Sequence, residues 1–257
     1  MKRRVEGILF DLGDTLLDFG QVDILGLFEA GARLAYDYLR GIGKPLPPFA
    51  KYHRRQLWAI RWNYFKSRLT RREFNAMDLI GRLGDRMGHG LSQEQMVELA
   101  WLWYRPLSEC ATMEPGLRQL LEDLRRCGLK LGLVSNTFIP GQVLDRHLQR
   151  ANLLDLLPVR VYSCDVTFRK PHAGIFTAAL ERAGLEAHRT MFVGDSPAAD
   201  VAGARHAGMI SVLKSRQAVP PSSKLQPDHH ISRLAQLREV LEEYELPLPL
   251  GDSTQAP

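Results

Sequence analysis

The stretch Gly7-Ile8-Leu9-Phe10-Asp11-Leu12-Gly13-Asp14-Thr15 decides the fold, because a short apolar run passes directly into acidic and small polar residues. An apolar run bounded by turn residues is typical of a strand buried in a parallel sheet. The carboxylate of Asp11 then lies just past the end of a buried strand, where it is costly to leave unpaired. We therefore expect positive charge close to Asp11.

Three further stretches carry related residues. Leu131-Gly132-Leu133-Val134 leads into Ser135-Asn136-Thr137, and Met191-Phe192-Val193 leads into Gly194-Asp195-Ser196-Pro197-Ala198-Ala199-Asp200. Lys170-Pro171 lies between them, in a loop that enters a predicted helix. Ligands of parallel sheets bind outside the carboxyl ends of the strands, where three of the four stretches fall. A divalent cation and Lys170 would neutralise the carboxylates, and the assembly would then attract a phosphoryl group.

From Pro115 onward, short apolar segments alternate with helical patterns. The predicted strands cover residues 129–134, 159–163, 190–194, 209–213 and 229–231, and the predicted helices cover 141–151, 171–183, 197–207 and 232–245. A further helix is predicted between Pro115-Gly116 and Cys127-Gly128. This alternation predicts an α/β fold, a doubly wound parallel sheet covered by helices on both faces.

Residues 21–108 show helical periodicity and little strand character. Trp58, Trp62, Phe65 and Leu69 recur at the spacing of one helix face, and Ser92 is a suitable N-cap for another helix. We therefore predict an all-helical cap at 21–108, inserted into an α/β core formed by 1–20 and 109–245. The tail, 246–257, is rich in proline and small polar residues and is predicted to be disordered.

Composition limits the class of protein. The 257 residues are 45% hydrophobic and 25% charged, as in ordinary globular proteins, and no apolar run is long enough to span a membrane. The apolar stretch near the N-terminus holds Glu6 and Asp11, unlike a signal peptide. Three distant cysteines suggest reduced thiols: Cys110, Cys127 and Cys164. We predict a cytoplasmic protein with no membrane partner.

Positive charge is concentrated in the predicted cap. Residues 33–86 hold thirteen Lys or Arg and four Asp or Glu, a local excess of 13 − 4 = 9 within a chain of net charge +5. Our first interpretation is a solvated helix face with the tryptophans packed inward. Alternatively, some basic residues face the cleft and attract anionic substrates. Nucleic-acid binding, suggested by basic and aromatic residues interleaved over 51–66, ranks last, and no such partner is expected.

The four stretches, in this order, resemble the four motifs of the haloacid dehalogenase-like superfamily of hydrolases. The resemblance covers residues 5–245 and implies a Rossmann-like core with a helical cap between the first and second motifs. It also implies that Asp11 is the nucleophile that forms an aspartyl-phosphate. Ser135 would bind a phosphoryl oxygen with the backbone N–H groups of Asn136 and Thr137, and Lys170 would offset negative charge. Mg²⁺ would bind Asp11, the Gly13 carbonyl and Asp195, and Asp200 would bind it directly or through water.

Gly13 departs from the family pattern. The usual phosphatase of this family has a second aspartate at this position, which serves as general acid and then as general base. Asp14 comes one residue later, and neighbouring residues of an extended chain point in opposite directions, so its replacement of that role stays open. General acid–base catalysis contributes about 10²–10⁴-fold. We therefore expect slow turnover of alkyl phosphates, or substrates with good leaving groups such as acyl, anomeric sugar or aryl phosphates.

The leading hypothesis is a Mg²⁺-dependent phosphohydrolase of a small phosphorylated metabolite. A 2-haloacid dehalogenase is an alternative, because its halide leaving group needs no proton. Such enzymes need no metal, however, whereas the pair Asp195 and Asp200 argues for one. A non-catalytic protein that binds phosphate is a third hypothesis, which the absence of an acid at Gly13 also favours. The sequence specifies neither the substrate, nor the cap residues that face the cleft, nor the oligomeric state.

Overall fold

A computed structural model describes residues 4–217, 225–244 and 246. Its sheet has six parallel strands: β1 (Gly7–Phe10), β2 (Lys130–Ser135), β3 (Val159–Tyr162), β4 (Thr190–Gly194), β5 (Ile210–Lys214) and β6 (His229–Ile231). The strand order is β3-β2-β1-β4-β5-β6, so β1 lies at the centre. The predicted α/β fold with a doubly wound parallel sheet is confirmed.

The register of the central strands brings three chain segments to one edge of the sheet. Phe10 at the end of β1 pairs with Leu133 of β2 and with Val193 of β4. The N–H group of Asp11 continues this ladder by donating to the Val193 carbonyl at 2.9 Å. The residues that follow β1, β2 and β4 therefore emerge side by side at the carboxyl edge.

Four helices lie between β1 and β2: α1 (Ile24–Gly41), α2 (Phe49–Thr70), α3 (Ala76–Asp85) and α4 (Gln93–Ser108). Side chains cap three of them, because Asp23, Asn75 and Ser92 accept backbone N–H groups at the starts of α1, α3 and α4. The helical insertion after the first strand is confirmed, and we call α1–α4 the cap. Its boundaries at residues 21 and 108 stay predictions.

The remaining helices cover the sheet. They are α5 (Leu117–Arg126), α6 (Gly141–Arg150), α7 (Ser163–Val166), α8 (Ala173–Ala183), α9 (Ala202–His206) and α10 (Leu237–Glu242). Alternate residues of β1 reach opposite layers: Ile8 and Phe10 join one buried cluster, while Leu9 joins the other with Phe176 of α8. Both faces of the sheet are therefore buried.

Several element boundaries differ from the predictions. The short helix α7 was not predicted, and the helix predicted over 197–207 begins with a π-helical turn at Pro197–Val201 before α9. The helix predicted over 232–245 is shorter: a 3₁₀ turn at Leu234–Gln236 precedes α10. The tail predicted to be disordered, 246–257, lies outside the described residues except for Leu246.

The outer face of α2 confirms one part of the first interpretation of the basic cap, because its basic residues are exposed, and contradicts the other part. Trp58 and Trp62 are 66% and 55% exposed, Phe65 is 61% exposed and Leu69 is 75% exposed. The prediction that the tryptophans pack inward is therefore wrong. The buried residues of α2 are instead Tyr52, Gln56, Ala59 and Ser67. A period of 3.6 residues identifies which side chains share a face, but contacts distant in sequence decide which face is covered.

No helix in the described part of the chain is both long and apolar enough to cross a membrane.

A buried hydrogen bond joins the cap to the core. The hydroxyl of Tyr104 on α4 lies 2.9 Å from Nδ1 of His147 on α6. Burial, with a smaller contribution from Arg150, lowers the pKa of His147 from 6.5 to about 4. Between pH 4 and pH 6.5, about the two pKa values, the unfolded chain therefore binds more protons at this residue than the folded chain does. Neutral His147 contributes its full stabilisation above pH 6.5, and this contribution is lost as the pH falls toward about 4.

We expect the free energy of unfolding to fall by about 2 kcal/mol through His147 alone as the pH drops from about 7 to about 4.5. In the variant His147→Gln, whose amide oxygen can still accept from Tyr104, this part of the pH dependence should disappear. Denaturant unfolding of both proteins at the two pH values measures it. An equal pH dependence in the two proteins would contradict the assignment.

Candidate active site

Three carboxylates converge at the carboxyl edge of the sheet. One oxygen from each of Asp11, Asp195 and Asp200 lies within 4.8 Å of the other two. Asp11 follows β1, Asp195 follows β4, and Asp200 lies in the π-helical turn that begins at Pro197. The N–H group of Ser196 donates to Oδ2 of Asp200 at 2.9 Å, which holds this carboxylate against the turn. The structure thus brings together the three predicted acidic residues.

Lys170 lies among these carboxylates. Its Nζ is 2.6 Å from Oδ1 of Asp11 and 2.8 Å from Oδ1 of Asp200, and it donates to the Val134 carbonyl at 3.0 Å. The Lys170 side chain is only 2% exposed. A buried ammonium group in contact with two carboxylates is firmly positioned, because each charge would be costly to leave unpaired.

Asn136 fixes the backbone of Lys170, a function that its position in the sequence did not reveal. Its side-chain oxygen accepts from the Lys170 N–H at 2.7 Å, and its amide nitrogen donates to the Lys170 carbonyl at 3.1 Å. This pair of hydrogen bonds links the loop after β2 to the loop before α8. Only the tertiary contact identifies it, since an asparagine after a strand has many local uses.

The loop after β2 also differs from expectation at Thr137. Its N–H group donates to the hydroxyl of Ser163 at 2.8 Å, so the prediction that it assists Ser135 in binding a phosphoryl oxygen is contradicted in this arrangement. Ser135 ends β2, is 6% exposed and lines the same cavity as Asp11 and Lys170. Ser163 was missed because it lies after an ordinary strand and carries no charge.

Burial dominates the electrostatics of this cluster. Desolvation raises the pKa of Asp11 to about 7; Lys170 opposes this change and Asp200 adds to it. Desolvation also raises the pKa of Asp195, with contributions from Asp200 and Asp14. For Lys170, desolvation opposes the charge, but Asp11 and Asp200 outweigh it and the pKa is raised. Asp11 and Asp195 therefore hold their protons more tightly than free carboxyl groups do, and a bound cation would favour their ionised forms.

This donor set fits Mg²⁺. Carboxylate oxygens are hard ligands, and Mg²⁺ is usually held by a few of them together with water and substrate. Three carboxyl groups face one ammonium group, so a divalent cation would balance the charge of their ionised forms. Asp11, Asp195 and Asp200 are the side chains that would hold it, and the Gly13 carbonyl stays a predicted ligand.

The acidic residue nearest in sequence to Gly13 is Asp14, which lines the same cavity as Asp11. Asp14 has a left-handed backbone with φ of 56°, is exposed, and acts electrostatically on Asp195. Gly13 itself has no positive φ, and outside its two neighbouring residues a Cβ atom added to it would meet Cε2 of Phe19, at 3.7 Å. The position thus has room for a Cβ atom and lacks the carboxylate that the resemblance would lead us to expect there.

A cavity of about 630 Å³ lies between the carboxylates and the cap. Gly13, Asp14, Ser135 and Asn136 line it together with the charged cluster. Among the described lining residues, the cap contributes no lysine or arginine. The alternative in which basic cap residues face the cleft is therefore contradicted for the following group: Arg54, Arg55, Arg61, Lys66, Arg68, Arg71 and Arg72.

Comparison with known proteins agrees with this geometry. A family model described as haloacid dehalogenase-like hydrolase matches residues 5–208. The chain is 30% identical over 136 residues to the pyrimidine 5'-nucleotidase YjjG of Escherichia coli, covering 52% of this chain and 59% of that one. It is 24% identical over 248 residues to a glyceraldehyde 3-phosphate phosphatase of Methanothermobacter thermautotrophicus, covering 92% and 100%.

The fold is also similar to a solved structure. A 2-haloacid dehalogenase from Pseudomonas syringae pv. Tomato DC3000 superposes with a TM-score of 0.63 at 24% identity, covering 93% of this chain and 99% of that chain. At this identity, the likeness shows the fold of core and cap.

Proposed function

Because this chain belongs to the haloacid dehalogenase-like hydrolase family, we propose that it is a Mg²⁺-dependent phosphohydrolase acting on a small phosphorylated metabolite. The observation that carries the proposal is the contact of 2.6 Å between Lys170 and Asp11 within a cluster of three carboxylates. The similarity to a pyrimidine 5'-nucleotidase and to a glyceraldehyde 3-phosphate phosphatase supports the same reaction class.

In the proposed reaction, a carboxylate oxygen of Asp11 attacks phosphorus. An O–P bond forms to Asp11, the bond from phosphorus to the leaving oxygen breaks, and the electron pair departs with that oxygen. Lys170 offsets the charge on Asp11 and on the transferring group, and the Ser135 hydroxyl donates to a phosphoryl oxygen. Water then hydrolyses the aspartyl-phosphate and releases inorganic phosphate. Bound Mg²⁺ would act as a Lewis acid that withdraws charge from the phosphoryl oxygens.

Removal of the metal provides the first test. We expect excess EDTA to abolish phosphate release from 4-nitrophenyl phosphate and added Mg²⁺ to restore it, because the carboxylates would otherwise repel the substrate. Mg²⁺ should also raise the midpoint of thermal unfolding in a concentration-dependent way, since it binds the folded chain. In the variant Asp195→Asn, the same concentration of Mg²⁺ should restore less activity and raise the unfolding midpoint less. Hydrolysis that persists in EDTA would refute the proposal.

Dehalogenation is the second candidate, and Gly13 favours it because a halide leaves without a proton. The cluster of three carboxylates argues against it, since such a reaction uses one nucleophilic aspartate and no metal. Release of chloride from 2-chloropropionate in the presence of EDTA would decide for dehalogenation. Retained Mg²⁺ binding with no turnover of any ester or haloacid would instead indicate a phosphate-binding protein.

A further inference from the structure

The walls of the cavity away from the carboxylates are apolar. Side chains from the loop after β1, from the cap helices and from the loop after β2 form them, including the following residues: Phe19, Leu27, Phe28, Ile60, Phe74 and Phe138. Two of these rings stack, since the centroids of Phe74 and Phe138 are 4.9 Å apart with an interplanar angle of 10°. Flat apolar surfaces of this kind bind aromatic and other apolar groups rather than polyols.

The charged side chains in the cavity walls away from the carboxylates are already paired. Oε2 of Glu73 accepts from Arg169 at 2.8 Å and from Ser163 at 3.1 Å, and Oε1 of Glu73 accepts from Ser67 at 2.9 Å. The Glu73 side chain is fully buried. Of the described cap residues that line the cavity, Gln56 is the other one with a charged or amide side chain. The polar atoms of Tyr64, Trp103 and Tyr104 also belong to lining residues, and they contact Arg68, Tyr52 and His147, respectively. A sugar or an amino acid would therefore bury hydroxyl or ammonium groups beside polar atoms that already have partners, which is costly.

The position from which the usual acid of this family would protonate the leaving oxygen has no carboxyl group. Gly13 supplies no proton there, and Phe19 contributes the nearest atom outside the two neighbouring residues. Asp14 lines the cavity with an exposed side chain on a left-handed backbone, and the variant Asp14→Asn tests whether it supplies the proton instead. Glu73 cannot supply the proton while Arg169, Ser67 and Ser163 hold its oxygens. A leaving group that departs as a stable anion avoids the requirement, because less proton transfer is needed in the transition state.

We propose that the substrate is an aryl phosphate, a monophosphate ester of a phenol with an apolar ring system. This inference rests on the proposed function. In the transfer step, the O–P bond to Asp11 forms while the bond between phosphorus and the phenolic oxygen breaks. The electron pair leaves on the phenolate oxygen, where the ring delocalises it, and the phenolate takes its proton from water after release.

Two pairs of substrates separate the two causes of this preference. 2-Naphthyl and phenyl phosphate have leaving groups of similar acidity and differ in apolar area, so kcat/KM should favour 2-naphthyl phosphate by about tenfold. Phenyl and benzyl phosphate have similar apolar area and differ in leaving-group acidity, so kcat should favour phenyl phosphate by about 10²-fold. Glycerol 3-phosphate and phosphoserine should be poorer than benzyl phosphate, because they bury polar groups.

Two matched variants test whether the cavity is responsible. Leu27 lines the cavity, whereas Leu25 lies on the same turn of α1, is 56% exposed and does not line it. We expect Leu27→Gln to reduce the ratio of kcat/KM for 2-naphthyl over phenyl phosphate to about twofold or less, and Leu25→Gln to leave it unchanged. Ile60→Gln, on α2, should act like Leu27→Gln. Thermal unfolding shows that each variant is folded.

The outcomes separate the inference from the function on which it rests. Mg²⁺-dependent hydrolysis with equal or better turnover of glycerol 3-phosphate or phosphoserine overturns the aryl phosphate and leaves the phosphohydrolase in place. An unchanged substrate ratio in both Leu27→Gln and Ile60→Gln likewise overturns the role of the cavity. No Mg²⁺-dependent hydrolysis of any ester overturns the proposed function itself.

Discussion

Asp11→Asn is expected to lower phosphate release by at least about 10⁴-fold, because an amide oxygen does not attack phosphorus as a carboxylate does. The change keeps the size of the side chain at the end of β1. It also removes the charge that Lys170 contacts at 2.6 Å, while Asp200 still holds Lys170 at 2.8 Å. The fold should therefore survive, which thermal unfolding will show, and the loss should appear in kcat measured with 4-nitrophenyl phosphate.

Asp23→Asn is the matched control for this variant. Asp23 accepts the N–H group of Gly26 at the start of α1, and asparagine caps helices about as well as aspartate. The chemical change is identical, but Asp23 does not line the cavity. We expect wild-type kcat for Asp23→Asn. Substantial activity in Asp11→Asn would show that another residue is the nucleophile.

Gly13→Asp is expected to raise kcat for benzyl phosphate or glycerol 3-phosphate by about 10²-fold, the lower end of the range for general acid–base catalysis. The backbone of Gly13 has no positive φ, and outside its two neighbouring residues the nearest atom to an added Cβ is 3.7 Å away, so the backbone accepts a Cβ atom without strain. Little gain is expected with 4-nitrophenyl phosphate, because its leaving group hardly needs a proton. The ratio between these substrates is the measurement.

Gly13→Ala and Asp14→Asn complete this experiment. Gly13→Ala controls for the effect of any side chain and should give no gain. Asp14→Asn removes a carboxyl group while keeping a residue that tolerates the left-handed backbone observed at φ of 56°. If Asp14→Asn lowers kcat for alkyl phosphates by about 10²-fold and Gly13→Asp brings no gain, then Asp14 is the acid that the sequence left open.

The sequence alone predicted the sheet and much of the cluster. Apolar runs before Asp11, Ser135 and Asp195 indicated buried parallel strands, and the ends of such strands meet at one edge. This rule is sufficient to predict that Asp11 and Asp195 lie together, and helical periodicity separately predicted the insertion after the first strand. The shortened helix α10 and the π-helical turn at Pro197 could not be predicted in this way, because helix ends depend on the contacts of each end.

Only the tertiary structure decided which surfaces face each other. The spacing of Trp58, Trp62 and Phe65 identified one helix face, yet this face is exposed because the residues that cover α2 come from other helices. The same holds for the hydrogen bonds of Asn136 with Lys170, which join segments 34 residues apart in the sequence. Chain periodicity determines which side chains act together, whereas packing between distant segments determines what they contact, and so the apolar cavity became visible only in the fold.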